Sequence, residues 1–405
     1  MTRKAFIEKA LKASMGLPLF SSFLLESCNR YDLEFPVLPM GFQGKVLVVG
    51  AGAAGLAAGH LLQRSGIDFE IIEAAPVWGG RMKKAVGFAD FPIDLGAEWI
   101  HTHPDILSDI LNSPGMDMDT KIDFIAYSPK TTQTWNNGRL RNHNYISKLY
   151  SEWKFKHTTW FGFFEAYIVP GIESRITLNT PISEVDYSSD RVQLKTTDGR
   201  IFEADKVLFT VPVKILQNEL ISFVPPLPVS KTKAINQVAV GDGIKIFVEF
   251  QSRFYPDMLS FGPILKAFRK EEKFVYDAAF GKDSDKNILG LFAINEAAAA
   301  YTQLGTESAI IGEFLNELDE IFSGQASAGY VKHIIQNWSA EPYIQGAYSY
   351  DFEEKQWRVV EAIQEPVADR LFFAGEALSI DHQATVHGAC ESAFEAMSRM
   401  LAAGQ

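Results

Sequence analysis

Gly50-Ala51-Gly52-Ala53-Ala54-Gly55 has the residue types and spacing of a phosphate cradle. Gly50 would permit a tight turn, Gly52 would let the backbone approach a pyrophosphate, and Gly55 would let a helix lie close to a strand. The free amides and positive dipole end of a helix starting there would hold phosphates without a charged side chain. Glu73 stands where a carboxylate should accept hydrogen bonds from ribose hydroxyls. The chemistry implied is dinucleotide binding, and these residues alone leave FAD and NAD both open. The competing reading, a glycine-rich turn with no ligand, has no use for the acid.

The elements that must position these residues surround them. Lys45–Val49 is a short β-branched run, Ala53–Arg64 is a helix of small residues, and Asp68–Ile72 is a second strand ending just before Glu73. Further along, helices are expected over 105–111, 146–166, 308–321 and 389–402. Strands are expected over 175–186, 192–196, 206–210, 243–250, 287–294 and 370–374. Pro225 and Pro226 interrupt the chain, and 33–44, with two prolines and two glycines, reads as a linker. No internal repeat or low-complexity tract is visible.

The chain has 405 residues, which at about 150 per domain predicts two large domains or three small ones. Hydrophobic residues are 47% and charged residues 22%, which excludes disorder. A net charge of −12 with no basic run excludes a nucleic-acid partner. The two cysteines, Cys28 and Cys390, exclude a disulfide framework and a Cys-rich metal site. The first thirty residues differ from the rest. Arg3, Lys4, Lys9 and Lys12 form a basic start with Glu8 among them, and 15–25 is an uncharged, mostly apolar run. That run is too short to span a bilayer and suits the core of a signal peptide. Residues 2–9 resemble a bacterial twin-arginine export signal with Lys4 in place of the second arginine, and Leu25-Glu26-Ser27-Cys28 resembles a lipoprotein cleavage box. The expectation is export, periplasmic or membrane-tethered through Cys28. The alternative is a cytoplasmic protein with an amphipathic first helix.

Further motifs decide between the dinucleotides. Gly79-Gly80-Arg81 follows Glu73, and then comes Asp94-Leu95-Gly96-Ala97-Glu98-Trp99-Ile100-His101. Near the C-terminus stand Phe373-Ala374-Gly375-Glu376 and Ala384-Thr385-Val386-His387-Gly388-Ala389, preceded by Trp338, Pro342, Tyr343, Gly346 and Tyr348. From about Lys45 to Met400 the chain resembles the flavin-containing amine oxidases: monoamine, polyamine and L-amino-acid oxidases. The resemblance implies FAD. It implies that Gly50, Gly52, Ala53, Gly55, Glu73 and Ala74 bind the ADP half. Gly80, Arg81 and the backbone of Gly96, Ala97, Glu98 and Trp99 would lie along the flavin, and Ile182 would offer a backbone contact to adenine. Gly375 and Glu376 would reach the ribityl or pyrophosphate region, and Thr385 and Val386 would stand at the start of the last helix.

The same resemblance supplies catalytic candidates. Lys245, in Gly241-Asp242-Gly243-Ile244-Lys245-Ile246-Phe247-Val248-Glu249-Phe250, falls on the family's lysine near flavin N5, which holds a water and assists reaction with oxygen. A cation there would stabilise developing negative charge; the plain reading is a lysine on an exposed strand face. Tyr348 falls on one wall of the family's aromatic cage, where a cation–π contact could help bind an amine. Thr385 stands where the opposite wall belongs and is not aromatic, so the cage is incomplete. Trp338 joins this group. Ala347 replaces the cysteine that monoamine oxidases bond to flavin, so the FAD is expected to be noncovalent. His101 matches an ionisable active-site position of polyamine oxidases and could orient an amine, although Thr102 follows where glycine is usual; otherwise it is a loop histidine. His387 could cap a helix. The other histidines show no ligand spacing, so no metal is expected. The cluster Tyr150, Trp153, Phe155, Trp160, Phe161, Phe163, Phe164 and Tyr167 is core, or else a channel wall or membrane-facing patch.

The expected fold class is α/β, with a discontinuous Rossmann-like FAD-binding domain (44–100, 172–228 and 367–405). A second, mixed-sheet-plus-helix substrate domain takes 101–171 and 229–366, and 1–30 is the export segment. The expected function is FAD-dependent amine oxidation: hydride passes from the amine α-carbon to flavin N5, and O2 reoxidises the flavin, giving H2O2 and an imine. The alternatives are a desaturase or oxidase of a non-amine apolar substrate, or a non-enzymatic FAD-binding protein. The partners are a small-molecule amine and O2. His101 and Ile176 are close together for this family, which predicts a shortened helical lid between them.

Overall fold

Strand Lys45–Val49 is the middle of a five-stranded parallel sheet. The computed structural model describes residues 33, 42–113, 118, 121–143, 152–262, 273–350 and 356–402. The export segment, Cys28 and Tyr150 lie outside the described residues. The strand order in the sheet is Ile176–Thr177, Asp68–Ile72, Lys45–Val49, Lys206–Phe209, Leu371–Phe373. Every neighbouring pair is parallel. A parallel sheet is covered on both faces, so its strands are apolar throughout rather than alternating. Val46 and Val48 face a core shared with helices Ala53–Arg64 and Val386–Ala402. Leu47 and Val49 face the opposite core with Val207, Phe209 and Phe373. Cys390 is buried between the two helices, its Sγ 3.9 Å from the Ala53 carbonyl oxygen.

A seven-stranded sheet forms the second large layer, in the order Tyr330–Asn337, Gly243–Phe250, Asn287–Ile294, Lys273–Asp277, Met258–Phe261, Thr132–Asn136, Arg139–Asn142. All eight residues of Gly243–Phe250 are buried. The pleat sends alternate side chains to opposite faces. Ile244, Ile246 and Val248 meet Phe314 and Leu318 of helix Glu307–Phe322. Phe247 faces the other way, toward Leu95, Tyr127 and Tyr276. Lys245 shares that second face by register, which removes the reading of Lys245 as an exposed strand lysine.

Two local expectations are corrected. Within 146–166, the described part is strand Glu152–Phe155 followed by helix Trp160–Tyr167. Glu152-Trp153-Lys154-Phe155 alternates charge with aromatic, which is strand periodicity, and the Thr159 hydroxyl caps the helix by accepting from the Gly162 amide. The expected strand 175–186 is two strands in different sheets, Ile176–Thr177 and Ile182–Asp186, broken at Asn179 (φ 53°) and Pro181. Between His101 and Ile176 the described chain holds strands Phe124–Tyr127, Thr132–Asn136, Arg139–Asn142 and Glu152–Phe155 together with helices Ile106–Ile110 and Trp160–Tyr167. Of the aromatic cluster, Phe155, Trp160, Phe163 and Phe164 are buried in the core, and Phe161 stacks on Trp78 at 4.1 Å. Among the described residues no helix is long and apolar enough to cross a membrane.

Candidate active site

The carboxyl ends of Lys45–Val49 and its neighbours open on a cavity of about 480 Å³. In parallel α/β sheets this end, where strand order reverses, is where ligands are bound. Gly50 turns the chain with φ 106°, a left-handed value that favours glycine. Gly55 stands behind the turn, and a Cβ there would lie 1.9 Å from the Gly50 carbonyl oxygen. Gly52 is different. Its φ is −79°, open to any residue, and a Cβ on it would meet no atom within 4 Å. Nothing among the described residues requires a glycine there, so the space beside it is room for a ligand. Gly52 also brings no side chain to cap helix Ala53–Arg64, leaving first-turn amides for an anion. This cradle fits a dinucleotide pyrophosphate.

Glu73 is buried and accepts from the amides of Ala51 (2.6 Å) and Ala75 (2.8 Å). Burial raises its pKa against the pull of those amides. Its carboxylate therefore braces the glycine turn as well as facing the cavity. Ala53, Ala74, Gly80, Ile182, Gly375 and Val386 also line the cavity. Arg81 Nη2 pairs with Glu376 Oε1 at 3.0 Å, and Glu376 further accepts from the Ser349 hydroxyl and the Ala384 amide. The pair ties the Gly79-Gly80-Arg81 turn to the C-terminal motif. Thr385 is the cap of helix Val386–Ala402: its hydroxyl accepts from the Gly388 amide at 2.9 Å. It also lines the cavity. His387 is buried against His382, with ring centroids 5.0 Å apart, and burial pushes its pKa well below the usual value.

Gly96, Ala97, Glu98, Trp99, His101, Lys245, Trp338 and Tyr348 line the same cavity. Trp338 is buried and its Nε1 donates to the Leu95 carbonyl at 3.2 Å, which holds the Gly96 segment in place. The Tyr348 ring stacks with Phe292, at 6.3 Å and 27°. Phe292 is joined by Phe274 at 5.1 Å. The aromatic partner of Tyr348 is thus supplied by strand Asn287–Ile294. His101 stands on an exposed loop with Nδ1 2.8 Å from Glu152 Oε2.

Lys245 is buried, and Nζ donates to the carbonyl oxygens of Asp94 (2.7 Å) and Gly96 (3.2 Å) and to Glu98 Oε2 (2.6 Å). An ammonium has three N–H groups, and three protein acceptors stand within hydrogen-bond distance of this one. Glu98 also accepts from the Tyr276 hydroxyl, and Lys154 Nζ lies 2.5 Å from its other oxygen. Burial alone would raise the Glu98 pKa; Lys154 and Lys245 outweigh it and lower the pKa to about 2. Lys154, Tyr276, Phe274 and Phe292 were not among the sequence candidates. The strand alternation around Lys154 was the one signal that could have placed it.

A family model described as flavin containing amine oxidoreductase matches residues 172–401, and one described as an NAD(P)-binding Rossmann-like domain matches 48–113. Lysine-specific histone demethylase 1B of Mus musculus is 26% identical over 90% of this chain and 54% of its own. Polyamine oxidase 3 of Oryza sativa subsp. japonica is 23% identical over 85% of this chain and 86% of its own. The chain spans about half the length of the demethylases it matches. A solved structure of wild-type putrescine oxidase bound to putrescine shares the fold, with a TM-score of 0.71 at 16% identity over 89% of this chain and 99% of that one.

Proposed function

The chain belongs to the flavin-containing amine oxidoreductase family, with FAD as its cofactor, and on that premise we propose that it oxidises a small-molecule amine to an imine with dioxygen as electron acceptor. One observation carries the reading: a single cavity joins the glycine cradle to a buried ammonium, Lys245, and to the Tyr348–Phe292 aromatic wall. When bound, FAD would supply the two-electron acceptor for a hydride from the amine α-carbon, with O2 as the oxidant reduced to H2O2. The protein supplies binding and orientation. The amides around Gly52 hold the pyrophosphate, and the Arg81–Glu376 pair fixes the two segments that flank the cofactor. Tyr348 and Phe292 present ring faces that orient an amine and exclude water from it. His101, tied to Glu152, stands at the cavity wall, where it helps orient an incoming amine. Lys245 provides fixed positive charge where negative charge develops on oxygen.

The test is an anaerobic titration of the purified yellow protein with monoamines, diamines, polyamines and L-amino acids. Loss of the visible flavin bands with at least one amine is expected, and loss with none of them sinks the proposal. A second prediction concerns attachment. Ala347 offers no thiol, so acid precipitation should leave all the yellow colour in the supernatant, read by its absorbance. Colour held in the washed pellet would contradict noncovalent binding.

A further inference from the structure

Lys154 is a lysine with its whole side chain in the interior, 1% exposed. Its ammonium faces three rings, with centroids at 4.7 Å (Trp99), 5.1 Å (Tyr276) and 5.3 Å (Tyr127). Ring faces carry negative charge density and favour a desolvated cation between them. Its remaining side meets Glu98 Oε1 at 2.5 Å. Glu98 is therefore shared by two ammonium groups, Lys154 on one oxygen and Lys245 on the other. The three come from distant stretches of chain.

Burying ions is unfavourable unless they are paired, and one pair would suffice for that purpose. A lone Lys245–Glu98 pair would be neutral, and the carboxylate 2.6 Å from Nζ would cancel most of the ammonium's field toward the cavity. Lys154 on the far oxygen restores a net charge of plus one. We propose that Glu98 and Lys154 are positioning residues that act through Lys245: Glu98 locks its ammonium in place, and Lys154 offsets Glu98 so that the cavity wall keeps one net positive charge toward the cofactor. The nearby groups are Asp94, Lys282, Tyr276 and Tyr127. Burial and the neighbouring Glu98 raise the Asp94 pKa, burial lowers that of Lys282, and burial and Glu98 raise that of Tyr276. Asp94 and Lys282 respond to both Glu98 and Lys154, so the potentials are compared over a pH series and the ordering is read where it does not change with pH.

The inference rests on the reading that Lys245 faces the flavin, and its test needs no amine. The midpoint potential of the bound FAD is measured by photochemical reduction against a reference dye, because positive charge stabilises the reduced, negatively charged form. Lys154→Met leaves the local charge at zero and should lower the potential. Glu98→Gln raises the charge to plus two and should raise it. Glu98→Gln with Lys154→Met returns to plus one and should return the potential to the wild-type value, with oxygen-dependent reoxidation recovering from an at least tenfold loss in Lys154→Met. A packing role alone would give no such return. If either single variant fails to hold FAD, the double variant against wild type decides: equal potentials support the proposal and unequal ones overturn it. An unchanged potential in Lys154→Met also overturns it. If Lys245→Met leaves the potential unchanged, the reading of Lys245 itself fails, whereas a panel of inert amines would sink only the amine reading.

Discussion

Replacing Lys245 by methionine should slow oxygen-dependent turnover by about 10²–10³-fold, the range found when one preorganised donor to developing negative charge is removed. The methionine keeps the length and apolar stem, so the change isolates the charge. The variant also loses donors to the Asp94 and Gly96 carbonyls, each a net contribution of about 1 kcal/mol to stability. Glu98 keeps Lys154 and Tyr276 as partners, so the fold should survive. The measurement is a pair of stopped-flow experiments. Anaerobic bleaching by amine should change less than tenfold, while mixing the bleached protein with oxygenated buffer should show the large loss. Equal loss in both steps would mean that Lys245 orients the amine rather than serving the oxygen reaction. No loss in either would make it a structural clamp on the Gly96 segment.

The distribution of what could be read from sequence follows the range of the forces involved. The unit Lys45–Val49, Ala53–Arg64, Asp68–Ile72 is found with the expected boundaries, because glycine punctuation and apolar periodicity act within a few residues. Lys245 was legible through its match to the family's lysine, and its strand is buried throughout. Its partners were not. Glu98 and Tyr276 are 178 positions apart, and nothing local about Glu98 distinguishes a side chain bracketed by two lysines from one turned to solvent. Lys154 sits in a four-residue strand whose aromatic neighbours resemble a helix stripe until its pairing with Trp99–Ile100 and Phe124–Tyr127 is known. Thr385 has a local role that the resemblance did not name. A threonine just before a helix carries the N-cap signature, but comparison with an aromatic position made it a missing wall. The ring beside Tyr348 comes instead from Phe292, on a strand whose only sequence signal was its apolar character.

The glycine cradle offers the sharpest separation of folding from cofactor binding, because two glycines three residues apart have opposite surroundings. At Gly55 an added Cβ would sit 1.9 Å from the Gly50 carbonyl oxygen, a backbone atom that no rotamer change can relieve. Gly55→Ala must push helix Ala53–Arg64 off strand Lys45–Val49, through a core where Val46, Val48, Leu56 and Ala57 are fully buried. Overpacking costs about 1–3 kcal/mol where side chains can adjust, and a backbone clash belongs at or above the top of that range. At Gly52 the Cβ would meet nothing within 4 Å, and φ of −79° suits alanine. Gly52→Ala should leave the stability of the FAD-free protein within about 0.5 kcal/mol of wild type, as for substitutions without a named mechanism of damage. The methyl group would instead occupy the room left for the pyrophosphate. FAD affinity should then fall at least ~10-fold, about 1.4 kcal/mol. Urea denaturation of the two FAD-free variants, with FAD titration followed by fluorescence quenching, separates the outcomes. If Gly52→Ala binds FAD as tightly as wild type, the space beside Gly52 is not where the phosphates lie. If Gly55→Ala is as stable as wild type, the helix and strand are not held at the separation that makes the cradle.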